Sequence, residues 1–178
     1  MVQKPLEHYK LQGNYFTRDV LELAPDLLGK ILVVKNYNNT ARFRITETEA
    51  YRGEEDLACH AKKGRTKRTD PMYYPGGILY IYLVYGMHWM LNIVTGEKNV
   101  PQAVLIRGVD EIKGPGRVTK TLGIDKRYNY ENLSTSKRIY LLADGLQPTY
   151  SCAPRVGIDY AGEYWKNLKW RFILNPSQ

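Results

Sequence analysis

A chain of 178 residues with 43% hydrophobic content can bury a core without disulfides or metals, and one domain spanning 1–178 is the simplest organisation. Its 26 Lys and Arg against 18 Asp and Glu give a formal charge of +8, which makes a polyanion the leading partner class. Only Cys59 and Cys152 are present, far apart, which excludes a disulfide framework and a CxxC zinc site, and the opening MVQKPLEHYKLQ has no apolar signal region. An intracellular protein is expected, in the cytoplasm or nucleoid of a bacterium or the nucleus of a eukaryote.

In chain order, the first periodic stretch is Arg18 to Leu28, where Val20, Leu21, Leu23, Leu27 and Leu28 recur at roughly helical spacing, with Pro25 either as a break or in the first turn of a second short helix, and Gly29 as a stop. Lys30 to Tyr37 and Ala41 to Tyr51 read as strands joined in a hairpin through Asn38, Asn39 and Thr40. The second strand contains ITETEAY, residues 45–51. Its period of two sets Ile45, Glu47, Glu49 and Tyr51 on one face, an odd composition for a strand, in which Glu is depleted. Either that face is solvated or one carboxylate is held in a cleft for work.

A helical turn over Glu54 to Ala61 is expected to carry His60. After it, Lys62 to Asp70 is a basic loop in which Lys62, Lys63, Arg65, Lys67 and Arg68 suit contacts to phosphates. Ile78 to Val94 has no charged residue over about a transmembrane length, yet Gly86, His88 and Asn92 fit a pair of buried strands with a break near Gly86 better than a span. Strands at Ile78–Tyr85, Trp89–Thr95 and Gln102–Val109 give a mostly antiparallel sheet. Gly114-Pro115-Gly116 opens a basic segment with Arg117 whose helical amides suit a phosphate. Lys137 to Ala143 and Lys169 to Leu174 read as strands, and Pro154 to Gly162 as a turn-rich loop. The fold class is therefore α+β, a curved, mostly antiparallel sheet with short flanking helices.

With three histidines, His8, His60 and His88, a metal cluster is not expected, nor is any cofactor. The zinc deaminase signature, the GxSxG elbow and the Walker loop are all absent. What remains for chemistry is the carboxylate pair of the 45–51 strand.

Four blocks, ETEAYRGEEDLACH, PGGILYIYLVYGMHWMLNI, AVLIRGVDEIKGPGR and RVGIDYAGEYWKNLKWRF, run in order over nearly the whole chain. Together they resemble the alkyladenine DNA glycosylase family, the 3-methyladenine or alkylpurine type of mammals and many bacteria. The resemblance implies an enzyme that flips damaged purines from double-stranded DNA and hydrolyses the N-glycosidic bond, acting as a monomer away from membranes. It makes Glu49 the general base and Arg107 the arginine beside the catalytic water. It puts Tyr51 and Tyr82 on the two faces of the flipped base, His60 at its edge and Asn92 against the 2-amino group of guanine. Tyr85, with Met87 in the same turn, matches the residue that enters the duplex. Departures at His88 and the basic loop bear on substrate range. Two rivals stand beside this reading. One is a helix-hairpin-helix glycosylase, which needs long helices around Gly114-Pro115-Gly116. The other is a non-catalytic binding module with a tyrosine stacking surface.

Overall fold

A computed structural model describes residues 8–36 and 39–176. Ten strands form one sheet: β1 (Tyr9–Lys10), β2 (Ile31–Asn36), β3 (Asn39–Arg52), β4 (Leu79–Val84), β5 (His88–Thr95), β6 (Gln102–Val109), β7 (Ile112–Lys113), β8 (Ile139–Ala143), β9 (Tyr150–Ala153) and β10 (Arg171–Leu174). The helices are short: α1 (Val20–Asp26), α2 (Pro115–Leu122) and α3 (Gly162–Asn167). The main path runs β1-β8-β2-β3-β6-β5-β4, with β10 beside β3, β9 beside β10 and β7 beside β6. Every strand pairing is antiparallel. This is the expected α+β class.

Strand β3 organises the sheet. Its first residues, 39–44, pair with β2, and from Ile45 onward it lies between β6 and β10. Asn39 and Thr40, expected in the turn, are already paired with Asn36 and Lys35, so the hairpin connection shortens to residues 37–38, which lie outside the described residues, as does the Tyr37 end of the expected strand.

The simple alternation read for ITETEAY fails at one point. Pairing with β6 slips between Ile45 and Glu47 and again between Glu47 and Thr48, so Thr46 is an extra residue in β3 and Arg107 an extra residue in β6. Because a one-residue slip exchanges the two faces, Ile45 joins Thr48 and Ala50 on the core side, while Glu47, Glu49 and Tyr51 keep the other side. Gly108 suits the tight double slip, since a Cβ there would sit 3.0 Å from Thr46 Oγ1 and 3.2 Å from Glu47 Cβ and press on both.

The core side is covered by α1 and α2. Asp19 caps α1 by accepting from the Leu21 N–H at 2.9 Å, and Thr48 Oγ1 donates to the Ala24 carbonyl at 2.8 Å, tying helix to strand. Pro25 does not break the helix ahead of its end. It sits in the last turn, and the chain leaves helical geometry just beyond it. Phe16, Leu23, Leu28, Leu79, Leu91 and Ile106 are fully buried between these layers, and truncating Phe16 to Ala is expected to cost about 3–5 kcal/mol.

The expected helical turn over Glu54–Ala61 lies later, as a 3-10 turn at His60–Lys63, because Asp56 accepts from the Ala58 N–H at 3.0 Å and holds the preceding residues in tight turns. Strands β1, β7 and β9 and helix α3 were not read from the sequence. No helix among the described residues is long and apolar enough to cross a membrane. The uncharged run at 78–94 instead forms β4 and β5.

Candidate active site

On the side of the sheet opposite α1, the far faces of β3 to β6 and two loops enclose a pocket of about 520 Å³. Tyr51, Tyr80, Tyr82, His60, Asn92 and Arg107 line it from the strands and the 3-10 turn, and Val156 to Ile158 and Tyr160 close it from the loop before α3. A site of this size, walled by aromatics with few polar groups, suits one flat heteroaromatic ligand.

Glu49 lies directly behind the wall, with no exposed surface. Its Oε1 accepts from the Val156 main-chain N–H at 2.8 Å and its Oε2 from the Tyr51 hydroxyl at 2.9 Å. Arg107 Nε donates to Glu47 Oε1 at 3.0 Å and lies 3.4 Å from Glu49 Oε1. Arg171 holds Glu47 from the other side at 3.1 Å. Burial pushes the Glu49 carboxyl above the ordinary carboxylate value, against the pull of Arg107, the Val156 N–H and the Tyr51 hydroxyl. Oε1 thus faces the Val156 N–H with Arg107 close by, and Oε2 takes the Tyr51 hydroxyl.

Glu47 and Glu49 are thus made different by their surroundings. Glu47 is partly exposed and takes two guanidinium groups on its Oε1, whereas Glu49 is fully buried and its carboxyl is raised by that burial. A carboxylate in the second condition is the better proton acceptor near neutral pH.

His60 Nδ1 and the Tyr80 hydroxyl share a hydrogen bond of 2.9 Å, and the His60 ring meets Tyr82 edge to face at 4.6 Å. Burial, then Arg68 and Lys62, push the His60 pKa down to about 4, so its imidazole is neutral at pH 7. The Tyr80 hydroxyl is pushed up to about 12 by burial, and Tyr82 higher still. Both remain protonated donors. Asn92 is buried, and its amide nitrogen donates to the Tyr80 and Met90 carbonyls at 3.1 and 3.4 Å, which fixes the group in the pocket floor.

The β4–β5 turn stands at the pocket edge. The Met87 N–H closes it onto the Val84 carbonyl at 3.1 Å, and Tyr85 and Gly86 have φ of 51° and 69°. Tyr85 is therefore a bulky residue in left-handed backbone, a strained position, and its side chain is 89% exposed, with Met87 exposed beside it. This excludes a core role for the Tyr85 ring.

The basic loop divides. Lys63 and Lys67 are exposed, Arg65 pairs with Asp70 at 2.8 Å, Lys62 lies over the Tyr160 ring, and Arg68 lies over the Tyr82 ring at 5.3 Å and lines the pocket. Arg117 is exposed on α2. The amide seat read at the start of α2 shrinks, because Pro115 has no N–H and the Arg117 and Val118 N–H groups bond the Gly114 carbonyl. So Tyr51, His60, Tyr82, Tyr85, Asn92 and Arg107 line one pocket with Glu49 behind its wall, and of the basic residues Arg68 lines it too. Sequence reading missed Val156, Tyr160 and Arg155. A main-chain N–H has no residue signature, and the 154–162 loop offered only turn residues.

The sequence of this site matches a described family. The family model for methylpurine-DNA glycosylase matches residues 14–113 and 110–178. The chain belongs to the methylpurine-DNA glycosylase family. Membership makes the chain a DNA glycosylase by family, with DNA as its substrate. Its relatives include proteins provisionally named 3-methyladenine DNA glycosylase from Chlamydia felis, 43% identical over 92% of this chain and 95% of the relative, and from Borrelia garinii subsp. bavariensis, 41% identical over 92% and 95%. A similarly named protein of Myxococcus xanthus is 40% identical over 94% of this chain and 91% of its own length.

Proposed function

We propose that this glycosylase flips an alkylated or deaminated purine nucleotide out of duplex DNA and hydrolyses its N-glycosidic bond with water activated by Glu49, leaving an abasic site. The observation that carries the reading is the Glu49 carboxylate, buried and held by hydrogen bonds on both oxygens, directly behind a tyrosine-walled pocket beside an exposed, strained aromatic turn. Tyr85 fills the vacated stack and offsets part of the few kcal/mol that unstacking costs. The base enters between Tyr51 and Tyr82, where stacking contributes about 1–3 kcal/mol.

In the chemical step a water oxygen bonds to the sugar C1′ while the bond from C1′ to the base nitrogen breaks and its electron pair leaves with the base. Glu49 takes the water's proton, and its charge stabilises the cationic sugar that develops. A cationic lesion such as 3-methyladenine leaves as a neutral base and needs no acid. For a neutral lesion the pocket offers hydrogen bonds from protonated tyrosine hydroxyls, whereas His60, with a pKa of about 4, is a poor acid at pH 7. The chain then acts as a monofunctional hydrolase, needing neither metal nor cofactor and working as a monomer in one domain.

The test is release of free base from duplexes that carry one 3-methyladenine, hypoxanthine or ethenoadenine, assayed with a chelator present. Release of at least one is expected. Tight binding with no release from any would return the chain to the non-catalytic reading.

A further inference from the structure

Behind Tyr51 lies an ion pair that the proposed chemistry does not use. The side chains of Arg155 and Asp56 are both fully buried. Arg155 Nη1 donates to Asp56 Oδ2 at 2.5 Å and to the Ala50 carbonyl at 3.0 Å, and Nη2 donates to Asp56 Oδ1 at 2.9 Å. Asp56 also accepts from the Arg52 and Ala58 N–H groups at 3.1 and 3.0 Å. The guanidinium lies over the Tyr51 and Trp170 rings, 4.9 and 5.0 Å from their centroids, and its Nε is buried without a hydrogen-bond partner among the described residues.

Such a pair is a weak source of stability, because taking two charges out of water offsets most of their attraction. What it does supply is fixed geometry, since a planar fork held by three hydrogen bonds leaves a guanidinium little freedom to turn. The points it fixes are informative. Ala50 is the residue between Glu49 and Tyr51, Asp56 anchors the turns leading to His60, and the residue after Arg155 is Val156, whose N–H reaches Glu49.

We propose that the Asp56–Arg155 pair is a positioning device that holds the Val156 N–H on Glu49 and the Tyr51 ring at the pocket wall, so that the water-activating group and the base-stacking wall are set together. This rests on Glu49 being the base. Other groups also act on that carboxylate: Arg107 from β6, Glu47 and Tyr51 from β3, Tyr82 from β4 and Tyr160 from the loop before α3. Arg171 of β10 acts one step removed, through Glu47. The Val156 N–H is the member of this set carried on the backbone next to Arg155. A hydrogen bond to a carboxylate favours its charged form, so removing the donor moves the acid limb of activity upward, by about one to two pH units.

Two full-length proteins test this. Arg155→Lys keeps the charge and loses the fork. In the other, a synthetic 152–178 segment joined at Cys152 carries an ester in place of the Val156 amide, which deletes the N–H and leaves the ion pair intact. Single-turnover base release against pH and the carbon-13 NMR titration of the Glu49 carboxyl are read on both. The expected result is an upward move of both curves in both proteins, with about a tenfold slower release at pH 6; damaged-DNA affinity holds within about threefold in the ester protein and falls by about fivefold or more in Arg155→Lys, where the Tyr51 wall is loosened as well. Unmoved curves in either folded protein overturn the proposal. So does failure of Arg155→Lys to fold, which would make the pair a scaffold element. If the native chain releases no base while the Glu49 titration still moves, the positioning stands and the catalytic reading falls.

Discussion

Tyr85 is the residue at which structure and proposed function are most sharply opposed, which makes Tyr85→Gly a discriminating perturbation. The ring is 89% exposed and its φ is 51°, so the side chain contributes little to the core while its backbone is strained. Left-handed backbone costs a non-glycine residue about 1–2 kcal/mol, and a glycine loses about 0.5–1 kcal/mol more chain entropy on folding. The net effect of the substitution is a stability change of about 0 to +1.5 kcal/mol. At about 2–4 °C per kcal/mol for a chain of this size, Tm should stay level or rise by up to about 6 °C. Base release should move the other way. Loss of about 1–3 kcal/mol of stacking in the flipped complex predicts about a 5- to 150-fold slower single-turnover release from a paired lesion, and a much smaller loss from a lesion in single-stranded DNA. Differential scanning fluorimetry beside base release on the two substrates reads both effects. A lowered Tm, or an equal loss on paired and unpaired lesions, would refute the wedge.

Three further outcomes follow from the site. Damaged-duplex affinity should fall with salt at a log-log slope of about −0.9 per phosphate neutralised, and replacing Lys63 and Lys67 should flatten it more than replacing Arg65, which is already paired with Asp70. An unchanged slope would move the DNA face elsewhere. His60 has a folded pKa of about 4 against an ordinary 6.5, so the unfolded chain binds its proton first on acidification. Its contribution to stability is therefore complete above about pH 6.5 and is lost as pH falls toward 4, and His60→Gln should flatten that part of a Tm-against-pH curve. Base release should survive a chelator, and borohydride should trap no enzyme on DNA; a trapped covalent complex would indicate an amine nucleophile and a lyase.

Much of this site was legible because it is written in side chains at local spacings. ITETEAY announces a strand with carboxylates on one face, and LVYGM announces an aromatic on a tight turn between two apolar strands. The parts that escaped depend on partners far along the chain. The slip at Thr46 and Arg107 that turns Ile45 into the core exists only when β3 meets β6, and nothing in residues 45–51 alone requires it. Likewise the groups that distinguish Glu49 from Glu47 are a main-chain N–H at Val156 and the guanidinium of Arg171, more than a hundred residues away. Short β1 and β9 carry too few residues for any periodicity and form by pairing with β8 and β10. The basic loop misled through composition: its charges looked alike, yet Arg65 and Arg68 are engaged with Asp70 and Tyr82.

The central claim is that Glu49, and not its neighbour on the same face, activates water. Glu49→Gln and Glu47→Gln differ from the native chain by one oxygen each, so single-turnover base release and damaged-duplex affinity measured side by side on both proteins test it directly. The account predicts that Glu49→Gln binds within about tenfold of the native chain while release falls by about 10² to 10⁴, and that Glu47→Gln loses far less. Equal losses in the two proteins, or near-native release by Glu49→Gln, would contradict it.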